Sequence, residues 1–545
     1  MLIRDAVFEL LQERGVQRIY GNPGSTELSL LSGLPAGLDY ILCLHEHTAV
    51  AAAAGEATLT GRPTLVNLHT LPGLANGSGA LATASANRSP VVVTAGQQHT
   101  GHLQAQPLLS GPMVDLAAPL TKRSFQPIRA ADVPLELERA FRLAMSPPRG
   151  PVFLALPMDF LEAEALGRVQ PMAAPSGFSL PQETLADLGS ELRSARSPAI
   201  VTGEAVESYG GFDAAVTLAD RVGACVYAAP MAARFGFPTG HPRFAGQLLP
   251  DAKVIHERLA AHDLVLVTGG PPFVLYPYRD HPVVPNTTRT VLISESPDDV
   301  ANYRWGTAHL ADVGATLRGL VAHVPQVPRG TSAEPAAGTP SVHAAAPEVT
   351  PAPTGDGGPG TPHALDVTVV TRVIREALGG DFTLMDESVS NGPRLRAGLP
   401  VDRPNRYLRS SNGGLGSALP AAIGAAFADP SVPVVVMIGE GSLLYSPQAL
   451  WTMAQHRLPI LVIVLNNASY RILQDFHRNS YQHLGTMVAS ELPGIDPMSI
   501  AEAFGVRSDR IDSPEHLRTA IDEAVAMGGP VLLDVPLGVA SPSMF

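Results

Sequence analysis

Residues 432–470 read VPVVVMIGEGSLLYSPQALWTMAQHRLPILVIVLNNASY. An apolar run ends in Gly439-Glu440-Gly441, a helical stretch follows, and a second apolar run ends in Asn466-Asn467. Short strands that are apolar on both faces belong in a parallel sheet covered by helices on both sides. Between Gly441 and Asn466 lie 24 residues, enough for one crossover helix and the next strand. Adjacent parallel strands therefore deliver Glu440 and Asn467 to the same sheet edge. Gly439 and Gly441 let the backbone turn sharply and approach a ligand. Ser442 is expected to open a helix whose free N–H groups suit phosphate. A carboxylate, an amide oxygen and a phosphate are hard oxygen ligands, the set Mg²⁺ prefers. The site implied is Mg²⁺ holding a diphosphate.

The same alternation runs through the whole chain. Before this stretch come RIYG, YILCL, TLVNL, PVVVTA and VFLALP, then AIVTG, CVYAA, DLVLVTGG and TVLISE; FTLMD and PVLLDVP flank it in the third series. The first helix pattern puts Ile3, Val7, Leu10 and Leu11 on one face, with Gly15 where a C-cap glycine belongs. The expected fold is α/β, with three tandem doubly wound parallel-sheet domains over residues 1–175, 176–325 and 364–545. Residues 326–363 are rich in Pro, Ala and Gly, nearly without large apolar side chains, and are expected to form a linker.

Composition narrows the function. The chain has 545 residues, 37 basic and 50 acidic, for a net charge of −13. That balance argues against a nucleic-acid partner, which needs clustered Lys and Arg. Lys122 and Lys253 are the sole lysines, a bias we assign to codon usage. Charged residues make up only 16 %, below the roughly 25 % of an ordinary soluble domain, which suggests buried subunit interfaces. Cys43 and Cys225 lie far apart in strand-like runs, so buried thiols in a reducing compartment are expected. No apolar run approaches the roughly 18–20 residues of a membrane span and no signal-peptide pattern opens the chain, so a cytoplasmic protein without membrane contact is expected.

The motif at 432–470 resembles the cofactor signature of the thiamine diphosphate-dependent decarboxylases, most nearly the benzoylformate decarboxylase kind. Supporting stretches, in order, are GNPGSTE (21–27), LHEHTAVAAAAGEA (44–57), NLHTLPGLAN (67–76), SPVVVTAGQQ (89–98) and NGGLGSALPAAIG (412–424). The resemblance implies pyrimidine-binding, middle and diphosphate-binding domains. It implies thiamine diphosphate and Mg²⁺ as cofactors, a small 2-oxo acid as substrate, and active sites shared between subunits of a homodimer or homotetramer.

By that resemblance Glu46 activates the cofactor, hydrogen-bonding a ring nitrogen of its aminopyrimidine. Leu415, after Gly413 and Gly414, wedges the cofactor into a bent shape, a proximity effect. Ser388, Val389, Ser390, Gly439, Gly441, Ser442 and Tyr470 join the cofactor site, and Glu440, Asn467 and Ser469 the metal site. Ser25 and His69 match residues that meet the substrate. A hydroxyl at a strand-end turn suits the substrate carboxylate, and it also suits a helix N-cap; an imidazole exchanges protons near neutral pH. Leu108, Leu109, Ile472 and Phe476 are the candidate substrate pocket, the last two sharing a helix face. An apolar pocket fits an aryl or branched 2-oxo acid.

Two departures stand out. The family carries Asp where this chain has Glu440. Where benzoylformate decarboxylases place a second catalytic histidine, an ungapped alignment puts Tyr276, with His281 five residues on. Phenol titrates near pH 10, a poor match for proton shuttling at pH 7. The expected activity is non-oxidative decarboxylation of a 2-oxo acid to an aldehyde and CO₂. The alternatives are a carboligase or acetolactate-synthase-like lyase on the same scaffold, and an inactive cofactor-binding homologue. A nicotinamide dehydrogenase is rejected, because NGGLGSALPAAIG lacks the G-x-G-x-x-G spacing.

Overall fold

The computed structural model describes residues 1–325 and 365–538. The proposed linker, 326–363, lies outside the described residues. Three six-stranded sheets, all parallel, follow one another along the chain, which is the α/β architecture expected.

The first sheet contains β1 (Arg18–Asn22), β2 (Asp39–Leu42), β3 (Thr64–Leu68), β4 (Val91–Gln97), β5 (Arg123–Phe125) and β6 (Val152–Pro157). The second contains β7 (Pro198–Thr202), β8 (Cys225–Ala228), β9 (Phe244–Gln247), β10 (Leu264–Thr268), β11 (Arg289–Ser294) and β12 (Thr307–Leu310). The third contains β13 (Thr383–Glu387), β14 (Tyr407–Arg409), β15 (Val434–Gly439), β16 (Ile460–Asn466), β17 (Arg507–Arg510) and β18 (Val531–Pro536). The first and third share one order, β2-β1-β3-β4-β6-β5 and β14-β13-β15-β16-β18-β17. The second differs, running β9-β8-β7-β10-β11-β12. In each sheet the order reverses beside its first strand, and ligands of such folds sit outside the carboxyl ends at such a reversal. The reversals lie between β1 and β3, β7 and β10, and β13 and β15.

Central strands β3, β4, β6, β7, β10 and β13 are buried at every residue, which explains their largely apolar character in the first two sheets. The first and third sheets meet through two alanine-rich helices, Glu46–Thr60 and Ala418–Ala428, which join one hydrophobic core. The contact requires glycine. A Cβ at Gly55 would lie 2.3 Å from the Ala421 carbonyl oxygen, and one at Gly424 would lie 2.0 Å from that of Ala52.

Three local expectations are corrected. Cys43 is buried, but Cys225 is only partly so, because β8 lies next to the irregularly paired edge strand β9. Ser25 does not cap a helix: Gly24 takes that place and the exposed Ser25 begins a short 3₁₀ turn. Ser442 does not open its helix either, since Gly439 is the N-cap and the helix runs Glu440–Leu443. Gly15 has the left-handed φ of +71° expected of a residue just past a helix end.

Candidate active site

In the third sheet, β15 and β16 pair in register from Val434↔Ile460 to Gly439↔Leu465, so Glu440 and Asn467 leave adjacent strands together. Glu440 is buried, and its Oε1 accepts the Ser469 N–H at 2.9 Å while Oε2 accepts that of Asn467 at 3.4 Å. Asn467 Oδ1 in turn accepts from the Ser469 hydroxyl at 3.0 Å. Burial pushes the Glu440 carboxyl above its ordinary range, against the pull of these amides.

Two cavities open at these carboxyl ends. The smaller is lined by Ser388, Val389, Ser390, Leu415, Gly439, Glu440, Gly441, Ser442, Asn467, Ser469 and Tyr470, every third-sheet position expected there except Gly413 and Gly414. Those two line the larger cavity, of about 560 Å³, together with Leu415, Ile472 and, from the second sheet, Leu275 and Tyr276. The volume lies within the roughly 300–1,000 Å³ of small-molecule sites. The residues fit a diphosphate-bearing cofactor on the structure's own terms. The Ser388 hydroxyl, in the wall of both cavities, is buried without a hydrogen-bond partner among the described residues. A Cβ on Gly439 or Gly413 would meet nothing within 4 Å, which leaves open space beside the main chain. Among the described residues no three His, Cys, Asp or Glu side chains form a metal cluster. A cation here would rely on mixed oxygen donors, Glu440, Asn467 and the Ser469 loop, completed by phosphate.

The first sheet carries a separate constellation. Glu46 begins the helix after β2, buried, with Asn22 Nδ2 on Oε1 and Asn76 Nδ2 on Oε2, both at 3.1 Å. His69 follows β3, and its Nδ1 meets Glu27 Oε2 at 2.8 Å and Thr26 Oγ1 at 3.1 Å. Glu27 is almost wholly buried, so it fixes the ring and leaves Nε2 as the nitrogen without a protein partner among the described residues. Gly24 is required beneath the ring, since a Cβ there would lie 2.2 Å from Nδ1. Ser25, Glu46 and His69 line neither third-sheet cavity. His47 Nε2, one residue on, lies 3.1 Å from the Gly416 carbonyl and ties this helix to the Leu415 loop of the same chain.

Tyr276, in the wall of the larger cavity, stacks on Phe476 with ring centroids 5.8 Å apart, while Phe476 itself lines neither of the two cavities. His281 lies outside that wall, edge-on to His256 at 4.9 Å, with its Nδ1 2.8 Å from the Pro282 carbonyl. Leu108 is 84 % exposed, Leu109 is half-buried, and neither lines either of these two cavities. Asn22, Asn76 and Glu27 went unread as partners of the catalytic candidates although all three lie inside quoted motifs. Glu387 was also missed. It is buried and accepts the N–H groups of Gly416, Ser417 and Ala418 at 2.7, 3.0 and 2.8 Å, which pins the Leu415 loop. Its only sequence signal is its place directly after the run FTLMD.

Three family models match the chain in order: thiamine pyrophosphate enzyme, N-terminal TPP binding domain (residues 1–118), central domain (185–320) and C-terminal TPP binding domain (394–535). A benzoylformate decarboxylase of Pseudomonas aeruginosa is 35 % identical over 99 % of both chains. A putative acetolactate synthase large subunit of Mycobacterium tuberculosis is 28 % identical, covering 97 % of this chain and 98 % of that one. Among solved structures, the thiamine diphosphate-dependent 4-hydroxybenzoylformate decarboxylase of Rhodococcus jostii superposes with a TM-score of 0.90 at 33 % identity over the whole of both chains.

Proposed function

The chain belongs to the thiamine diphosphate-dependent enzymes, and from that premise we propose that it decarboxylates an aryl or branched 2-oxo acid to an aldehyde and CO₂, using Mg²⁺ to hold the cofactor. The observation that carries this reading is the larger cavity, which brings the Leu415 loop, Ile472 and Tyr276 around one space, with Phe476 stacked on Tyr276. Its mostly apolar wall surface favours an aromatic or branched substrate. Identity to a benzoylformate decarboxylase over the full length of both chains supports it.

When bound, the cofactor supplies the electron sink that takes up the pair left as CO₂ departs. The protein's part is positioning and proton control. Glu440, Asn467 and the Ser469 loop would hold the metal and diphosphate, and Leu415 would bend the cofactor. Glu46, oriented by Asn22 and Asn76, would hold a proton at the cofactor's ring nitrogen. His69 would exchange a proton with substrate through Nε2, because Glu27 occupies Nδ1. Ser25 would donate to the substrate carboxylate. Tyr276 would act as a hydrogen-bond donor and packing surface rather than a shuttle. Because Ser25, Glu46 and His69 stand apart from the cavities, we place each active site between one subunit's first sheet and its partner's third sheet, in a homodimer or homotetramer.

A carboligase is the second reading, favoured by the acetolactate synthase relative and by Tyr276 where a histidine was expected. One experiment separates them: CO₂ release by protein loaded with thiamine diphosphate and Mg²⁺, from benzoylformate and from pyruvate, with and without an acceptor aldehyde. Benzaldehyde and CO₂ from benzoylformate alone support the decarboxylase. Release mainly from pyruvate, with a ligated product, overturns it. Glu46→Gln should cut turnover at least about a hundredfold while cofactor binding persists; normal turnover in that variant removes Glu46 from the mechanism.

A further inference from the structure

The larger cavity holds a charge that decarboxylation of a plain aryl 2-oxo acid does not use. Arg409 ends β14 and lines this cavity. Its main chain is fixed on both sides: the N–H donates to the Ala233 carbonyl at 3.1 Å, and its own carbonyl accepts Asn87 Nδ2 at 2.9 Å. The guanidinium has no comparable anchor. Its Nη2 meets the Met231 sulfur at 3.5 Å, a weak acceptor, and among the described residues no carboxylate pairs with it. Arg396, in the wall of the same cavity, shows the contrast, with Nη1 bound to Asp386 Oδ2 at 2.8 Å.

Arginine cannot shed its proton, and the two carboxylates in the same wall are engaged elsewhere, Asp386 by Arg396 and Tyr407 and Glu387 by three backbone N–H groups. Among the described residues the half-buried Arg409 guanidinium therefore keeps a full charge with no carboxylate paired to it. A ligand oxygen that supplies one forms a charge-assisted, often bidentate, hydrogen bond. The 2-oxo acid's own carboxylate does not meet that need, because it belongs with Ser25 and His69 at the first-sheet half of the site. On that placement of the 2-oxo acid group, Arg409 would meet the far end of the substrate. Resting on the decarboxylase reading above, we propose that Arg409 is a specificity residue for a second anionic group, a carboxylate carried on the ring or acyl chain remote from the 2-oxo acid.

The test uses the holoenzyme loaded with thiamine diphosphate and Mg²⁺. Calorimetric titration compares mandelate with 4-carboxymandelate, unreactive 2-hydroxy counterparts that differ only in the distal carboxylate. Kinetics compare benzoylformate with 4-carboxybenzoylformate. The carboxylated member of each pair should bind, or turn over in kcat/KM, at least about tenfold better. Arg409→Leu should erase the preference and Arg409→Lys should keep part of it, since a point charge replaces the fork. Equal affinities in the unaltered protein, or a preference that survives Arg409→Leu, overturn the proposal. The two readings fail separately. Turnover of benzoylformate without any carboxylate preference sinks the Arg409 role alone. An Arg409-dependent preference for 4-carboxymandelate with no CO₂ from either oxo acid sinks decarboxylation and leaves the anion site standing.

Discussion

The second and third sheets are both doubly wound, and each has an order reversal beside its first strand, yet their carboxyl-end crevices differ. Beyond β13 and β15 the loops part around a cavity of about 560 Å³ and its smaller neighbour. Beyond β7 and β10 they touch: the Gly203 N–H donates to the Thr268 carbonyl at 2.8 Å, and a Cβ on Gly203 would lie 3.0 Å from the Gly269 oxygen. Arg88, arriving from the first sheet, fills what is left by pairing with Glu295 and, at 2.6 Å, with Asp299. Burial pushes the carboxyls of Glu295 and neighbouring Glu204 upward, with Arg88 opposing it in both. Strand order thus says where a ligand would sit, and the loops decide whether the place holds a ligand or a clamp between domains.

The sharpest way to break this contrast is to remove the clamp. Arg88→Ala strands two nearly buried carboxylates and should cost about 3–5 kcal/mol, seen as an earlier thermal transition. Thiamine diphosphate should still load, because the open crevice lies on another sheet; unchanged melting would show that Arg88 holds nothing together. The open crevice is probed by Glu440→Gln, which keeps the size and drops the charge. Mg²⁺-dependent cofactor retention should weaken at least about tenfold, and chelation by EDTA should bring the unaltered protein toward the variant. Retention equal in both would remove Glu440 from the metal site.

The smallest effect concerns the floor of the open crevice. Burial pushes the Glu387 carboxyl up from 4.5 to about 7, against three backbone N–H groups that pull it down. The folded chain therefore keeps a proton that the unfolded chain releases first. The stability it contributes is whole below about pH 4.5 and is lost as pH rises through about 7. Glu387→Gln should flatten that part of the pH–melting curve; an identical slope would show that the carboxyl titrates normally.

Much of this was legible in the sequence. Thirteen of the eighteen strands were read from apolar runs, and the five missed (β5, β9, β12, β14 and β17) are all sheet edges. An edge strand is covered less completely, so it need not be uniformly apolar: β17 is the run Arg507–Arg510, half-buried at best. The same blindness hid Arg409, which sits on edge strand β14. Glu440, Asn467, Glu46 and His69 were legible because each terminates an apolar strand or follows it closely in a distinctive motif. The clamp was not, because Arg88 and Glu295 are 207 residues apart and neither lies in a pattern that names the other.

The alanine seam between helices Glu46–Thr60 and Ala418–Ala428 has no clearance for even one added methyl at Gly55 or Gly424. One helix begins with Glu46, and the other begins three residues after Leu415. The seam therefore acts as a rigid linkage between two parts of the chain that, in the proposed assembly, serve different active sites. A bulkier residue anywhere along it would be felt as a displacement at both ends, so the spacing of the two sites is set by backbone contact in a place where no chemistry occurs.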